Sequence, residues 1–87
     1  MYSLELSQRS QKFIDKLDFH LKDRLETNLK RLKDNPVPSD SKFIGRGDKG
    51  EKIFRYRIGD YRALYCIYEE SNIILVIKID KRPRVYD

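Results

Sequence analysis

The sequence predicts an α+β domain in which a short N-terminal strand and a helical hairpin precede an antiparallel sheet of three main strands. Leucines recur every three or four residues in the first half, as they do on one face of an amphipathic helix. Three runs rich in Ile, Tyr and Val follow, separated by short turn signals. The length of 87 residues leads us to expect one domain over residues 1–87.

The first half of the chain contains the strand and both helices. Residues 2–6 alternate weakly in hydrophobicity, which predicts a short strand. Ser7 is a plausible N-cap for a first helix over about residues 8–17. A second helix follows Asp18 and ends at Asn35-Pro36, since proline cannot continue it. Its apolar stripe consists of Leu21, Leu25, Leu29 and Leu32.

Residues 39–50 are rich in Ser, Asp, Gly and Lys, and only Phe43-Ile44 are expected to pair as a short strand. Gly45, Gly47 and Gly50 form a G-x-G-x-x-G pattern. A dinucleotide site needs this pattern to open a helix after a strand, which is not the case here. We therefore predict a mobile loop and no nucleotide cofactor.

The second half of the chain contains the three main strands, which we predict to form an antiparallel meander. They cover residues 52–58, 61–69 and 73–79. Gly59-Asp60 fits a two-residue hairpin turn, which would place Arg57 opposite Arg62.

This register separates the side chains of the hairpin into two faces. One face is hydrophobic and suited to the leucine stripe: Phe54, Tyr56, Ile58, Tyr61, Ala63, Tyr65 and Ile67. The other face carries Arg55, Arg57 and Arg62. Like charges directly opposite each other destabilise a sheet by a few tenths to about 1 kcal/mol. Folding alone does not favour this arrangement, so it indicates an anion-binding surface.

The end of the third strand returns to the same edge, so Lys81, Arg82, Arg84 and Tyr86 can join this surface. Guanidinium groups bind phosphate oxygens through forked donors, and a tyrosine ring can stack on a base. A net charge of +5 also favours anionic partners. The alternative is that these residues only solvate an exposed strand face.

The remaining composition excludes several classes of protein. Cys66 is the single cysteine, so no internal disulfide or cysteine-rich metal site is expected, and a reducing, cytoplasmic location is favoured. The N-terminus lacks a signal-peptide pattern, and no apolar stretch approaches 18 residues, so we expect no membrane association.

The chain resembles the RelE/ParE toxin superfamily over its whole length. The resemblance is carried by two segments, RYRIGDYRALY (55–65) and IKIDKRPRVY (77–86). It implies a RelE-like βααβββ fold. It further implies the toxin of a type II toxin–antitoxin system, a ribosome-dependent endoribonuclease that cleaves mRNA in the A site without a cofactor. A cognate RelB-like antitoxin would hold it inactive.

Carried over by motif, the resemblance implies catalytic or phosphate-binding roles for Arg55, Arg62, Arg82 and Tyr86. Bacterial RelE has a lysine, proposed as general base, where this chain has Ile53. Lys49, Lys52 or Lys81 would have to substitute for it. The residues expected to bind RNA are Lys49, Lys52, Arg57, Lys81 and Arg84.

The side chains of the basic face also limit which catalytic steps it can perform, independently of the resemblance. Arginine cannot act as a base, and no carboxylate is expected on this face except near the turn. The face can orient a phosphate and stabilise negative charge, so we expect little activity on free RNA. Two other functions remain open: a ParE-like toxin that inhibits DNA gyrase by protein contact, and a non-catalytic RNA-binding module.

Overall fold

The structure is a computed structural model that describes residues 1–81. Its elements are β1 (Ser3–Leu6), α1 (Gln8–Asp15), α2 (Phe19–Lys30) with a 3₁₀ turn at Arg31–Lys33, β2 (Ser41–Arg46), β3 (Lys52–Ile58), β4 (Tyr61–Tyr68) and β5 (Ile73–Lys81). The strands form one sheet in the order β1-β5-β4-β3-β2. β1 is parallel to β5, and the other neighbours are antiparallel. The predicted α+β class is confirmed, with four antiparallel strands instead of three.

Both helices begin at side-chain caps. The Ser10 amide donates to Ser7 Oγ at 3.1 Å, and the Leu21 amide donates to Asp18 Oδ1 at 3.1 Å. The cap at Asp18 explains why α1 ends at Asp15, two residues earlier than expected, because the chain must leave the first helix before entering the second. In residues 1–81, no helix has the length and apolar character needed to cross a membrane.

The helices pack on one face of the sheet and bury the leucine stripe there. Leu25, Leu29 and Leu32 are at most 1% exposed, whereas Leu21 at the start of the stripe is half-buried. The core comprises Ile14, Leu25, Leu29, Leu32, Phe54, Tyr56, Ile58, Ala63, Tyr65, Ile67, Ile74, Val76 and Ile79. Burial of this apolar area is the main force that holds the helices on the sheet.

The β3–β4 hairpin has the predicted register, with Ile58 opposite Tyr61 and Arg57 opposite Arg62. Gly59 has φ of 58°, whereas Asp60 does not share this positive φ, as in a II′ turn with glycine in its first central position. A Cβ at Gly59 would lie 2.8 Å from the guanidinium of Arg24, a flexible side chain that can move aside, so the positive φ is what favours glycine there.

The segment 39–50 is more ordered than the sequence suggested. β2 covers Ser41–Arg46 and pairs with β3, so the expected pairing of Phe43-Ile44 alone was wrong. Gly47 donates to the Glu51 carbonyl at 2.9 Å and closes a tight turn. The chain therefore forms a second hairpin where we predicted a loop, because pairing with β3 outweighs the low strand propensity of its Gly and Lys residues.

β5 is an interior strand between β1 and β4, and it extends to Lys81, two residues beyond the predicted end at residue 79. Val76 lies opposite Tyr65 but Lys78 lies opposite Leu64, so Ile77 is an extra residue that forms a β-bulge.

Two serines of α1 bind the backbone at this bulge. Ser7 Oγ donates to the Ile77 carbonyl at 2.7 Å, and the fully buried Ser10 Oγ donates to the Val76 carbonyl at 3.0 Å. The Val76 carbonyl also accepts from the Ser7 amide at 2.9 Å, so α1 supplies three donors to the two carbonyls at the bulge.

Candidate functional site

The sheet face turned away from the helices carries a cluster of charged side chains on three adjacent strands. We call it the arginine face, and it consists of Arg55, Arg57, Arg62, Lys78 and Asp80. The three arginines reach this face because side chains along a strand point alternately to the two sides of the sheet. Their neighbours in β3 and β4, such as Tyr56 and Ala63, point into the core.

Arg57 and Arg62 lie directly opposite each other at the centre of this face. Arg57 is exposed, whereas Arg55 and Arg62 are half-buried. Arg55 lies opposite Leu64 on one side and Lys42 of β2 on the other, so Lys42 adds a further cation to the face. Opposite residues of an antiparallel pair have Cβ atoms about 4.5–5.5 Å apart, close enough for repulsion.

Asp80 and Lys78 of β5 are the members of the arginine face that sequence reasoning missed. Asp80 lies opposite Arg62, and its Oδ2 is 3.1 Å from Lys78 Nζ. Their side chains are 58% and 45% exposed. We expected no carboxylate on this face except near the turn, and Asp80 of β5 corrects that expectation.

The bulge at Ile77 is the reason for that error. If the register that pairs Tyr68 with Ile73 continued without a bulge, Ile79 would lie opposite Arg62. The extra residue moves Asp80 to that position and turns Ile79 into the core. The spacing in the sequence does not reveal this shift, because residues 73–77 are all apolar and only the structure shows that Ile74, Val76 and Ile79 are the core-facing set.

Lys81, at the end of β5, lies opposite Tyr61 and beside the arginine face. A concavity of about 460 Å³ lies beside it and is lined by Arg55, Arg62, Leu64, Asp80 and Lys81. Pockets of this size hold small ligands. The predicted residues Arg82, Arg84 and Tyr86 lie outside the described residues.

Lys49 and Lys52 occupy a different part of the sheet. Lys52 lies five residues from Arg57 along β3, about 16 Å away at the usual rise per residue. Its strand position faces the helices, and its Nζ is 3.3 Å from Glu69 Oε1. Lys49 lies in the β2–β3 turn, where its amide donates to the side chain of Glu51. The structure thus does not bring these lysines together with Arg57 and Arg62.

Two buried groups of β4 have altered acidity. Burial raises the pKa of Tyr65 to about 12, and its hydroxyl donates to the Pro36 carbonyl at 2.7 Å. Burial also raises the pKa of the Cys66 thiol, so little thiolate forms near neutral pH. Neither group is a ready nucleophile. In the described part of the chain, no cluster of three or more His, Cys, Asp or Glu side chains could hold a metal ion.

The chemistry available on the arginine face follows from these groups. Guanidinium groups donate forked hydrogen bonds to phosphate oxygens and keep their charge at all physiological pH values. A carboxylate accepts protons, and Asp80 places one directly opposite Arg62. The face therefore combines anion binding with one potential proton acceptor.

Comparison with known proteins gives a consistent result. A family model described as "ParE toxin of type II toxin-antitoxin system, parDE" matches residues 4–86. A protein of Methanocaldococcus jannaschii named "Putative toxin RelE1" is 34% identical over 73 residues, which cover 76% of this chain and 81% of that protein.

Solved structures share the fold. The archaeal RelE-RelB complex from Pyrococcus horikoshii OT3 contains a chain that superposes with a TM-score of 0.84 at 24% identity, covering 95% of this chain and 97% of that chain. The isolated E. coli RelE toxin superposes with a TM-score of 0.74 at 25% identity, covering 97% and 87%.

Proposed function

This chain belongs to the RelE/ParE superfamily of toxins from type II toxin–antitoxin systems, and we propose that it is a cytoplasmic, ribosome-dependent endoribonuclease that cleaves mRNA in the A site and so inhibits translation. The observation that carries this proposal is the pair of arginines, Arg57 and Arg62, held opposite each other on the face that the helices leave uncovered. A polyanion bound there would relieve their repulsion.

The arginines act on the phosphate at the cleavage point. Arg55 and Arg62 orient it, and their fixed charges stabilise the extra negative charge of the pentacovalent phosphorane. An arginine face can position the backbone only if the RNA is already held in a reactive conformation, which is the contribution of the ribosome. Activity on free RNA is accordingly low.

The other proposed residues have graded roles. Arg82 and Tyr86 complete the catalytic set, the first by binding phosphate and the second by stacking on the cleaved nucleotide. Contacts to the flanking RNA come from Arg57, Lys81 and Arg84. Lys49 and Lys52 are proposed as outlying RNA contacts, because both lie toward the far end of β3.

A second part of the proposal is a RelB-like antitoxin encoded with the toxin. RelE of Pyrococcus horikoshii was crystallised with RelB. For this chain, the net charge of +5 favours an acidic, partly disordered partner that folds as it binds. Recovery of such a partner from the native host would support this. Harmless expression of the toxin alone, with no acidic protein recovered, would oppose it.

One observation favours a second function, inhibition of DNA gyrase, because the family model that matches is described as a ParE toxin. The deciding experiment is primer extension on mRNA in a translating extract with and without the protein, alongside a gyrase supercoiling assay. Breaks at defined codon positions support mRNA cleavage. Intact mRNA with lost supercoiling would select gyrase inhibition. If mRNA stays intact and supercoiling is unchanged, the remaining function is a non-catalytic RNA-binding module.

A further inference from the structure

The arginine face supplies phosphate ligands, but cleavage of RNA by its own 2′-hydroxyl also needs a group that accepts the hydroxyl proton. Arginine cannot do this, and Ile53, an apolar residue, lies on the same face of β3 as Arg55. Asp80 is the acidic residue among those that line the concavity with Arg55, Arg62 and Lys81. Asp80 therefore supplies a proton acceptor inside the concavity that the arginines line.

We propose that Asp80 is the general base of the cleavage reaction, accepting the 2′-hydroxyl proton while Arg62 binds the scissile phosphate. This inference rests on the proposed ribonuclease function and assigns the proton transfer that the arginines cannot perform.

The geometry places Asp80 within reach of a nucleotide bound at Arg62. The two residues lie opposite each other on adjacent strands, where Cβ atoms are about 4.5–5.5 Å apart. The Asp80 side chain is 58% exposed, so a ribose can approach it. Lys78 Nζ, at 3.1 Å, orients the carboxylate through Oδ2. A carboxylate can accept about four hydrogen bonds, so this ion pair leaves capacity for a hydroxyl.

The reaction step balances without a cofactor. The O–H bond of the 2′-hydroxyl breaks, and its proton passes to the Asp80 carboxylate. The 2′-oxygen then uses its lone pair to form a bond to phosphorus. The bond from phosphorus to the 5′-oxygen breaks, its electron pair stays on that oxygen, and water supplies the proton. Asp80 then returns its proton to the hydroxide that remains, which restores the carboxylate. The products are a 2′,3′-cyclic phosphate and a 5′-hydroxyl.

A purely electrostatic role for Asp80 is the competing explanation, since a carboxylate beside Arg62 and Lys78 offsets cation repulsion. The two roles differ in what Asp80→Asn does. Loss of the negative charge strengthens the attraction for RNA in either case. A counter-charge role predicts that cleavage stays equal or rises. A general-base role predicts that binding persists while cleavage slows by about 10²- to 10⁴-fold.

The test measures single-turnover cleavage and binding with ribosomes programmed with a defined mRNA, using the toxin in excess. The parent is compared with Asp80→Asn and with the matched control Asp15→Asn. Asp15 forms an ion pair with Lys22 at the same distance of 3.1 Å and with 51% exposure, but on the helical hairpin. We expect the control to match the parent, and Asp80→Asn to bind ribosomes at least as tightly while cleaving at least 100-fold more slowly.

Three results would overturn the inference. Cleavage by Asp80→Asn within about threefold of the parent would leave Asp80 as a counter-charge only. Loss of ribosome binding together with cleavage would show that Asp80 supports the fold or the docking surface instead of the proton transfer. Failure of the parent itself to cleave mRNA would remove the proposed function along with the inference, so the two failures are distinguishable.

Discussion

Replacement of Arg57 by glutamine is expected to stabilise the isolated protein while weakening its activity. Arg57 is exposed and lies directly opposite Arg62. The two positive charges therefore repel each other in the folded sheet, whereas they lie farther apart in the unfolded chain. Glutamine keeps the length and polarity of the side chain and removes the charge. Arg62 is a less suitable site for this test, because Asp80 lies opposite it on the other side.

The magnitude follows from the separation of the charges. Two unit charges about 6 Å apart at an exposed site interact by about 0.7 kcal/mol if the dielectric is close to that of water. This agrees with the few tenths to about 1 kcal/mol known for like-charge cross-strand pairs. For a domain of this size, 1 kcal/mol corresponds to about 4–8 °C in the thermal midpoint. We therefore expect a gain of about 1–5 °C at low ionic strength.

The assay is calorimetry of the parent, Arg57→Gln and the control Arg9→Gln at low salt and at about 0.3 M salt. Arg9 is an exposed residue of α1, so its replacement removes the same charge without touching the sheet. The gain for Arg57→Gln should shrink in salt, because exposed charges are screened over about 10 Å at 0.1 M. A lower midpoint than the parent at low salt would refute the reasoning, since Arg57 would then be stabilised by a carboxylate.

Three further predictions concern the site and the core. Arg62→Ala and Arg82→Ala should each abolish most growth inhibition and mRNA cleavage, because each removes a charge-assisted donor to the phosphate; cleavage within about twofold of the parent would contradict this. Tyr65→Phe removes the hydrogen bond to the Pro36 carbonyl and should lower the free energy of unfolding by about 1 kcal/mol, measured by urea titration; an unchanged midpoint would show that the bond contributes nothing net. Because burial raises the pKa of Cys66, a thiol reagent at about pH 7 should label the native protein far more slowly than the urea-unfolded one, and equal rates would show that the thiol is accessible.

The parts of the structure that followed from the sequence are those set by local pattern. The two-residue turn at Gly59-Asp60 aligns β3 with β4, and the alternation of apolar and basic residues then assigns each side chain to a face. β1 was expected as a strand, but its partner was not. Its parallel pairing with β5 joins Ser3 to Ile73 across most of the chain, and no local pattern specifies such a contact.

The composition of the arginine face depends on a contact of the same long-range kind. Lys78 and Asp80 point away from the helices only because the bulge at Ile77 shifts the strand by one residue. The carbonyls at that bulge are bound by Ser7 and Ser10, which lie 70 and 66 residues away from their partners in the chain. The Ile77 carbonyl that accepts from Ser7 Oγ belongs to the extra residue itself, and without that residue the side chain of Asp80 would turn toward the helices. The contact of Ser7 with Ile77 and the placement of Asp80 opposite Arg62 therefore depend on the same extra residue, which is why the carboxylate could not be assigned to this face from the spacing of residues in β5 alone.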